Sequence, residues 1–197
     1  MTHHSNIRSH TGREGLTLVE IMMTLLIFAV VMGVVTNVFF GTQRMYSQTS
    51  QRADQQMSTR AGLTVMTEEI RRAGADPNAT GIMALMSAED DTVRVRAELN
   101  DVDGIQTAEP SEDVTYFFDD VAGAIMRDSG TGPQPMIQNV TAFTMEYFDV
   151  NNNLLAPLPL TNAQATLVRS VGISITTDTP QGGQMTVNTR VGLRNNN

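Results

Sequence analysis

Residues 21–40 form an apolar run, IMMTLLIFAVVMGVVTNVFF, in which Thr24, Thr36 and Asn37 are the only polar side chains. As an α-helix, a run of this length can cross a bilayer hydrocarbon core of ~30 Å. A secretory signal peptide is the alternative interpretation. Its apolar core is usually only ~7–15 residues long, however, and a small-residue cleavage site would follow it, which is not the case here. The run therefore predicts an N-terminal helix that crosses a membrane.

The helix is predicted to continue well beyond the apolar run. The polar stretch that follows contains no Pro, and Glu68 and Arg72 form an i,i+4 pair of favourable orientation. Gly74 and Pro77 then provide a stop signal. Apolar and small residues recur mostly at four-residue steps, the spacing of one helix face: Met57, Ala61, Val65, Ile70 and Ala73. We therefore expect one nearly continuous helix from about Leu16 to about Ala73.

The rest of the chain has the alternating pattern of β-strands separated by polar turns. Strands joined by short turns favour an antiparallel sheet, one face of which the long helix can cover. The predicted fold class is α+β. The predicted strands are residues 92–99, 114–118, 140–150, 167–177 and 185–193.

Charge is distributed unevenly along the chain. The chain has a net charge of −8, but residues 76–197 alone carry −10, whereas residues 1–15 and 16–75 each carry +1. An acidic domain repels phosphate backbones, so we expect no nucleic-acid partner. Four regions are predicted: a leader at 1–15, a membrane-spanning half-helix at 16–41, an amphipathic half-helix at 42–75 and an acidic β-rich domain at 76–197.

The residue types that support most enzymatic mechanisms are scarce. The chain has no Cys, its basic residues are all Arg, and its three His residues are His3, His4 and His10. If residues 1–15 are removed, no His, Cys or Lys remains for a catalytic triad or a Ser-Lys dyad. We therefore expect no enzymatic activity, no catalytic residue and no cofactor.

The segment Gly15-Leu16-Thr17-Leu18-Val19-Glu20 immediately precedes the apolar run. Gly15 has no side chain, so its peptide bond can enter a narrow protease site. Glu20 places a carboxylate at the start of a membrane span, where an ionisable group is costly unless it is paired and usually marks a functional site. An amine freed at Leu16, in the same chain or in a neighbouring one, is the natural partner of this carboxylate. The first turn of the helix also favours a negative side chain.

With the apolar run behind it, GLTLVE resembles the processing signature of type IV prepilins, although Leu16 stands where that family usually has Phe. The resemblance implies a pilin fold, cleavage between Gly15 and Leu16 by a prepilin peptidase, N-methylation of Leu16 and a role for Glu20 in subunit docking. It also implies an inner-membrane protein with a single span and a periplasmic C-terminal domain. Its implied partners are membrane lipid before assembly, other major and minor pilins, and the inner-membrane assembly platform.

A looser resemblance extends over most of the chain. MTEEIRRAGADP at residues 66–77 and the later order VTYFFDD, AIMRDSG, QPMIQNVTAFTMEYFD and LVRSVGISITT are similar to PilW-like minor pilins and GspJ-like pseudopilins. Three functions remain open: a minor pilin that primes assembly or sits at the filament tip, a pseudopilin of a type II secretion system, and a tip subunit that binds surfaces or cargo.

Three acidic segments are candidate calcium sites. Asp149–Asn153 has the first part of an EF-hand loop, but Leu154 replaces the required Gly and Leu160 the required Glu, which favours a hairpin turn. Glu89–Asp91 and Asp119–Asp120 could join in a calcium site, but solvated acidic loops are the favoured interpretation. We therefore predict no metal site.

Overall fold

The computed structural model describes residues 15–77, 81–99, 105, 111–179 and 182–194. Apart from Gly15, the predicted leader lies outside the described residues. The chain divides into two units, with the boundary between Ser47 and Gln48. The long helix α1 (Leu18–Arg72) begins in the first unit and ends in the second.

The first unit, where it is described, consists of Gly15–Thr17 and the first part of α1. From Leu18 to Phe40 every side chain of α1 is exposed. At ~1.5 Å per residue this apolar stretch is about 34 Å long. Among the described residues, α1 is the one helix long and apolar enough to cross a membrane.

The second unit combines the last part of α1 with two antiparallel sheets. The first sheet is a five-stranded meander, in the order β1 (Leu85–Ala88), β2 (Thr92–Arg96), β3 (Asp113–Asp119), β4 (Ala124–Asp128) and β5 (Gln134–Gln138). The second sheet contains β6 (Val140–Phe148), β7 (Ser170–Asp178) and β8 (Gln184–Gly192), with β7 in the middle. A four-residue helix, α2 (Asn162–Ala165), lies between β6 and β7 in the sequence.

One hydrophobic core joins α1 to both sheets. Met66 and Ile70 of α1 are fully buried in the same cluster as Tyr116 of the first sheet and Ile175 of the second. Alternate residues of β6 and β7 point into this cluster, as the two-residue period of a strand requires. The helix therefore supports the β-rich part of the chain through its C-terminal half.

The helix approaches the first sheet closely at Gly62. A Cβ atom at this position would lie 2.5 Å from Cγ1 of the buried Ile137 on β5, so the absence of a side chain permits the contact. The helix then ends as the sequence predicts. Gly74 takes a φ of 77°, which is favourable only for Gly, and its N–H donates to the carbonyl of Arg96.

The α+β fold and the antiparallel pairing are confirmed. All five predicted strands exist with shifted ends, but three further strands, β1, β4 and β5, were not predicted. The single expected sheet is in fact two sheets. The helix begins at Leu18 rather than Leu16, because Thr17 caps it.

Candidate functional site

The predicted cleavage segment lies just outside the first turn of α1. Gly15, Leu16 and Thr17 have no regular secondary structure and are exposed, and the Leu16 side chain is 74% exposed. A Cβ atom added at Gly15 would meet no atom within 4 Å. The Gly15–Leu16 peptide bond therefore lies outside the helix and is exposed, so a protease can reach it without unwinding the helix.

Glu20 and Thr17 form a reciprocal cap on the helix. The Thr17 N–H donates to Oε2 of Glu20 at 2.9 Å, and the Thr17 hydroxyl donates to the same oxygen at 3.0 Å. In return, the Glu20 N–H donates to the Thr17 hydroxyl at 3.3 Å. This is the capping-box arrangement, and it satisfies backbone donors that the first turn would leave unpaired.

The cap changes the expected role of Glu20 within one chain. The sequence suggested an amine at Leu16 as partner of the carboxylate, but the bonds that Glu20 makes here come from Thr17. Both of them fall on Oε2, and no hydrogen bond to Oε1 is seen from the residues that the structure describes. One carboxylate oxygen therefore remains available to a group outside the chain.

The hydroxyl groups in and just after the apolar half of α1 are satisfied within the helix. Thr24, Thr36 and Thr42 each donate to a backbone carbonyl three or four residues earlier, at 2.7–2.9 Å. A hydroxyl that already has an acceptor costs less to place in an apolar environment than a free one. These Thr side chains are therefore compatible with lipid or with a packed bundle of helices.

A partly buried polar cluster ties α1 to the first sheet through Glu69. Arg127 on β4 donates to both carboxylate oxygens of Glu69, at 2.7 and 3.1 Å. The hydroxyls of Tyr116 on β3 and of Ser111 also donate to this carboxylate. Ser111 has a φ of 77°, a strained backbone conformation for a residue with a side chain. The four residues form a satisfied network that fixes the position of the helix on the sheet.

We call these four residues the Glu69 cluster. Their surroundings keep the Tyr116 hydroxyl protonated and Arg127 positively charged. Burial, and then the neighbouring carboxylate, raise the pKa of the Tyr116 hydroxyl well above its ordinary value, so Tyr116 remains a donor. The hydrogen bond to Glu69 is the main reason why the pKa of Arg127 is raised. Sequence patterns did not reveal this cluster, because its members are 42 to 58 residues away from Glu69 along the chain.

A second ion-pair group joins β2 to β3. Arg94 donates to both oxygens of Asp113, each at 2.7 Å, and Arg96 donates at 2.8 Å. Burial alone would raise the pKa of Asp113, but the hydrogen bonds from the two guanidinium groups outweigh it and keep the pKa below its ordinary value. These contacts stabilise the pairing of neighbouring strands rather than form an open binding site.

The interpretation of Asp149–Asn153 as a turn is confirmed. Oδ1 of Asp149 accepts the N–H groups of Asn151 and Asn153, both at 2.8 Å, and Asn152 has a φ of 70°. The hydrogen bonds from Asn153 are the main reason why the pKa of Asp149 is lowered. The Asp149 carboxylate therefore accepts hydrogen bonds from backbone N–H groups of its own turn.

The other two acidic segments are also turns of the fold. Asp119 accepts the N–H groups of Val121 and Ala122 in the turn between β3 and β4. In the turn before β2, the carbonyl of Asp90 accepts the N–H of Met145, which links the two sheets. Within residues 15–77, 81–99, 105, 111–179 and 182–194, no three His, Cys, Asp or Glu side chains are placed to hold a metal ion.

A comparison of the chain with models of known protein families finds no match. A comparison with curated protein sequences finds no significant match either. The functional interpretation therefore depends on the geometry of the Gly15–Glu20 segment and of α1.

Proposed function

We propose that this protein is a type IV prepilin-like subunit that is cleaved after Gly15 and built into a filament as a minor pilin. The observation that carries the proposal is the division of α1 into two different halves. Residues Leu18 to Phe40 are mostly apolar and all exposed, whereas Leu63, Met66 and Ile70 are buried against the sheets. A single helix with these two halves needs a second apolar environment outside its own domain.

Lipid and the helices of other subunits can each supply that environment. An exposed apolar surface of this size is unfavourable in water, since each Å² of it costs about 25 cal/mol. Before assembly the half-helix would lie in the inner membrane, with the β-rich domain in the periplasm. After assembly it would pack against equivalent helices, and the internally bonded Thr hydroxyls would allow that transfer.

Glu20 would direct the docking step. Cleavage between Gly15 and Leu16 leaves a cationic amine, and methylation of that amine keeps its charge. In an apolar surrounding such a charge requires a partner. Thr17 donates only to Oε2 of Glu20. The other carboxylate oxygen can therefore accept a hydrogen bond from the amine of a neighbouring subunit while the helix cap remains intact.

The docking role can be tested with two Glu variants in a strain that lacks the native gene. Glu20→Ala is expected to be processed but absent from sheared filaments. Glu68→Ala removes the same charge from an exposed position near the end of α1 and is the matched control, which should be incorporated normally. Incorporation of Glu20→Ala at the wild-type level would remove the docking role from the proposal.

A deletion strain separates the two machines that such a subunit could serve. A minor pilin of a type IV pilus is expected to be needed for surface filaments but not for secretion of exoproteins. A strain that keeps its surface filaments and loses secretion would instead assign the protein to a type II secretion system, as a GspJ-like pseudopilin. If filaments form normally and only surface or cargo binding is lost, the β-rich domain is a tip binding module.

A further inference from the structure

The outer face of the second sheet contains a groove over its middle strand, β7. On β6, Phe143, Met145 and Tyr147 point into the core, so the residues between them face the opposite side of the sheet. The neighbouring strands carry larger side chains on this outer face, such as Phe148 and Arg190. The residues of β7 on the same face are all small: Ser170, Gly172, Ser174 and Thr176. The result is a groove of about 610 Å³ that is open to solvent.

Gly172 forms the floor of this groove. It lies between Glu146 of β6 and Arg190 of β8 in one row across the sheet. A Cβ atom on Gly172 would lie 3.3 Å from Cε2 of Phe148 and 3.6 Å from Cβ of Glu146. The φ of Gly172 is not positive, so the backbone conformation does not require a glycine there. What the glycine provides is space between a carboxylate and a guanidinium group.

Arg190 is held at one end of the groove. Its guanidinium group lies 3.7 Å from the centre of the Phe148 ring. Its Nε donates to the hydroxyl of Ser170 at 2.9 Å, and its Nη2 donates to Oδ1 of Asn152. These contacts hold the guanidinium group away from Glu146, and the described part of the chain shows no ion pair between the two. Two opposite charges therefore line the groove without neutralising each other, and both remain available to a ligand.

The other polar side chains of the groove also have unused hydrogen-bonding capacity. Four side chains form no hydrogen bond with any residue that the structure describes: Thr144, Glu146, Ser174 and Asn188. A carboxylate only accepts hydrogen bonds, a guanidinium group only donates them, and hydroxyl and amide groups do both. A ligand that satisfies all of these groups must donate and accept at neighbouring positions. Adjacent hydroxyl groups on a sugar ring do this, because each hydroxyl is both a donor and an acceptor.

The same lining disfavours the other classes of ligand. The charges of Glu146 and Arg190 are opposite, so the groove has no excess charge with which to hold an ion, and the net charge of −10 on residues 76–197 repels anions. An apolar ligand would leave the polar groups of the groove without hydrogen-bond partners. An extended peptide pairs with a free strand edge, whereas the backbone groups of β7 are already paired with β6 and β8.

We propose that this groove is a binding site for a neutral carbohydrate. A sugar ring placed over Gly172 donates hydroxyl groups to the carboxylate of Glu146. On the other side of the ring, its oxygens accept hydrogen bonds from the amide of Asn188 and from the guanidinium group of Arg190. All of these residues belong to the second unit and face away from its core, so binding does not require the membrane half of α1. The carbohydrate site and the assignment to the prepilins can therefore be refuted independently.

Binding of neutral trisaccharides to the full chain tests the site. The protein is purified in a polyether detergent, because a detergent with a glucose or maltose headgroup would itself compete for the groove. The probes are maltotriose, cellotriose, mannotriose and triacetylchitotriose, added one at a time. Saturation-transfer NMR detects binding, and a titration gives each dissociation constant. At least one of the four trisaccharides should bind, and a neutral tripeptide blocked at both ends should not.

Substitutions in the groove should weaken this binding. Glu146→Gln replaces a charged acceptor with a neutral one and should raise the dissociation constant roughly tenfold, because hydrogen bonds to charged groups are stronger. Glu68→Gln is the matched control: it removes the same charge from an exposed position on α1 and should bind like the wild type. Asn188→Ala should raise the dissociation constant about fivefold. Gly172→Ala places a methyl group on the floor of the groove and should weaken binding without a change of charge.

Three results would overturn the proposal. The first is that none of the four trisaccharides binds. The second is an equal dissociation constant for the wild type and for Glu146→Gln, which would place the sugar elsewhere on the chain. The third is tighter binding of the blocked tripeptide than of every trisaccharide, which would make the groove a peptide site. Thermal unfolding of each variant, followed by circular dichroism, establishes that it is folded before its affinity is compared with that of the wild type.

Discussion

Removing the Glu69 carboxylate should destabilise the β-rich unit far more than removing its neighbour, Glu68. Glu69 accepts hydrogen bonds from Arg127, Tyr116 and Ser111, and its side chain is only 11% exposed. Glu68 is 50% exposed and lies 3.7–3.8 Å from Arg71 and Arg72. The two residues are adjacent on one helix, so Ala substitutions at both positions change net charge and helix propensity equally.

The magnitudes differ because the partners of Glu69 cannot reach water freely. Removing one member of a buried ion pair costs ~3–5 kcal/mol, since the remaining charge is left without a partner. The Arg127 side chain is 22% exposed, so water can partly replace the carboxylate, and we take the lower limit of about 3 kcal/mol for Glu69→Ala. An exposed pair such as that of Glu68 contributes only ~0.3–0.5 kcal/mol.

Thermal unfolding followed by circular dichroism on the full chain in detergent measures the difference. For a domain of this size, 3 kcal/mol corresponds to a fall in Tm of about 6–12 °C, against about 1–2 °C for Glu68→Ala. Equal Tm values for the two variants would refute the role assigned to the Glu69 cluster. An equally large fall in Glu68→Ala would show that helix propensity, and not the cluster, sets the stability.

Two further perturbations test the packing of α1 and the ion pairs of the first sheet. Gly62→Ala should lower the free energy of unfolding by about 1 kcal/mol. Overpacking against Ile137 costs ~1–3 kcal/mol, whereas the gain in helix propensity is at most ~1 kcal/mol. A variant with a higher Tm than the wild type in thermal unfolding would contradict the close approach. Asp113, whose pKa is lowered in the folded state, takes up its proton at a higher pH when unfolded, so its stabilisation is present above pH ~4 and is lost as the pH falls further. Denaturant titrations from pH 5 to 2 should therefore show a shallower loss of stability for Asp113→Asn than for the wild type, and identical slopes would contradict this origin of the acid sensitivity.

Local patterns in the sequence were sufficient to predict the long helix. An apolar run followed by residues at four-residue steps specifies one helix, and Gly74 specifies its end, because both signals act within a few residues. The start was misplaced by two residues. Thr17 and Glu20 stand three apart before an apolar run, which is the signature of a capping box and would have predicted the start at Leu18.

The missed strands lack the alternation on which strand prediction depends. β1 is only four residues long, and β5 contains Pro135, which normally argues against a strand. β4 has its two buried residues, Ala124 and Ile125, next to each other rather than alternating. These strands exist because neighbouring strands and the helix pack on them, which is tertiary context rather than local propensity.

Local sequence patterns could not predict the Glu69 cluster, for a related reason. The sequence pattern selected Glu68, because Arg72 stands four residues after it, and the structure shows that this pair is exposed. The partners of Glu69 come from distant strands, and no spacing rule connects them to the helix. In contrast, the site predicted at Gly15, Leu16 and Glu20 depends only on local sequence, because processing and docking of a prepilin would need only a short contiguous segment.

The most direct test of the proposed function is the mass of the N-terminus of the protein extracted from its native membrane. In cells with an active prepilin peptidase the chain should begin at Leu16 and carry a methyl group on its amine, and in cells without the peptidase it should begin at Met1. Gly15→Val should block processing without disturbing the fold, since a Cβ at Gly15 meets nothing within 4 Å. An intact Met1 terminus in cells with active peptidase, or normal cleavage of Gly15→Val, would contradict the assignment to the prepilins.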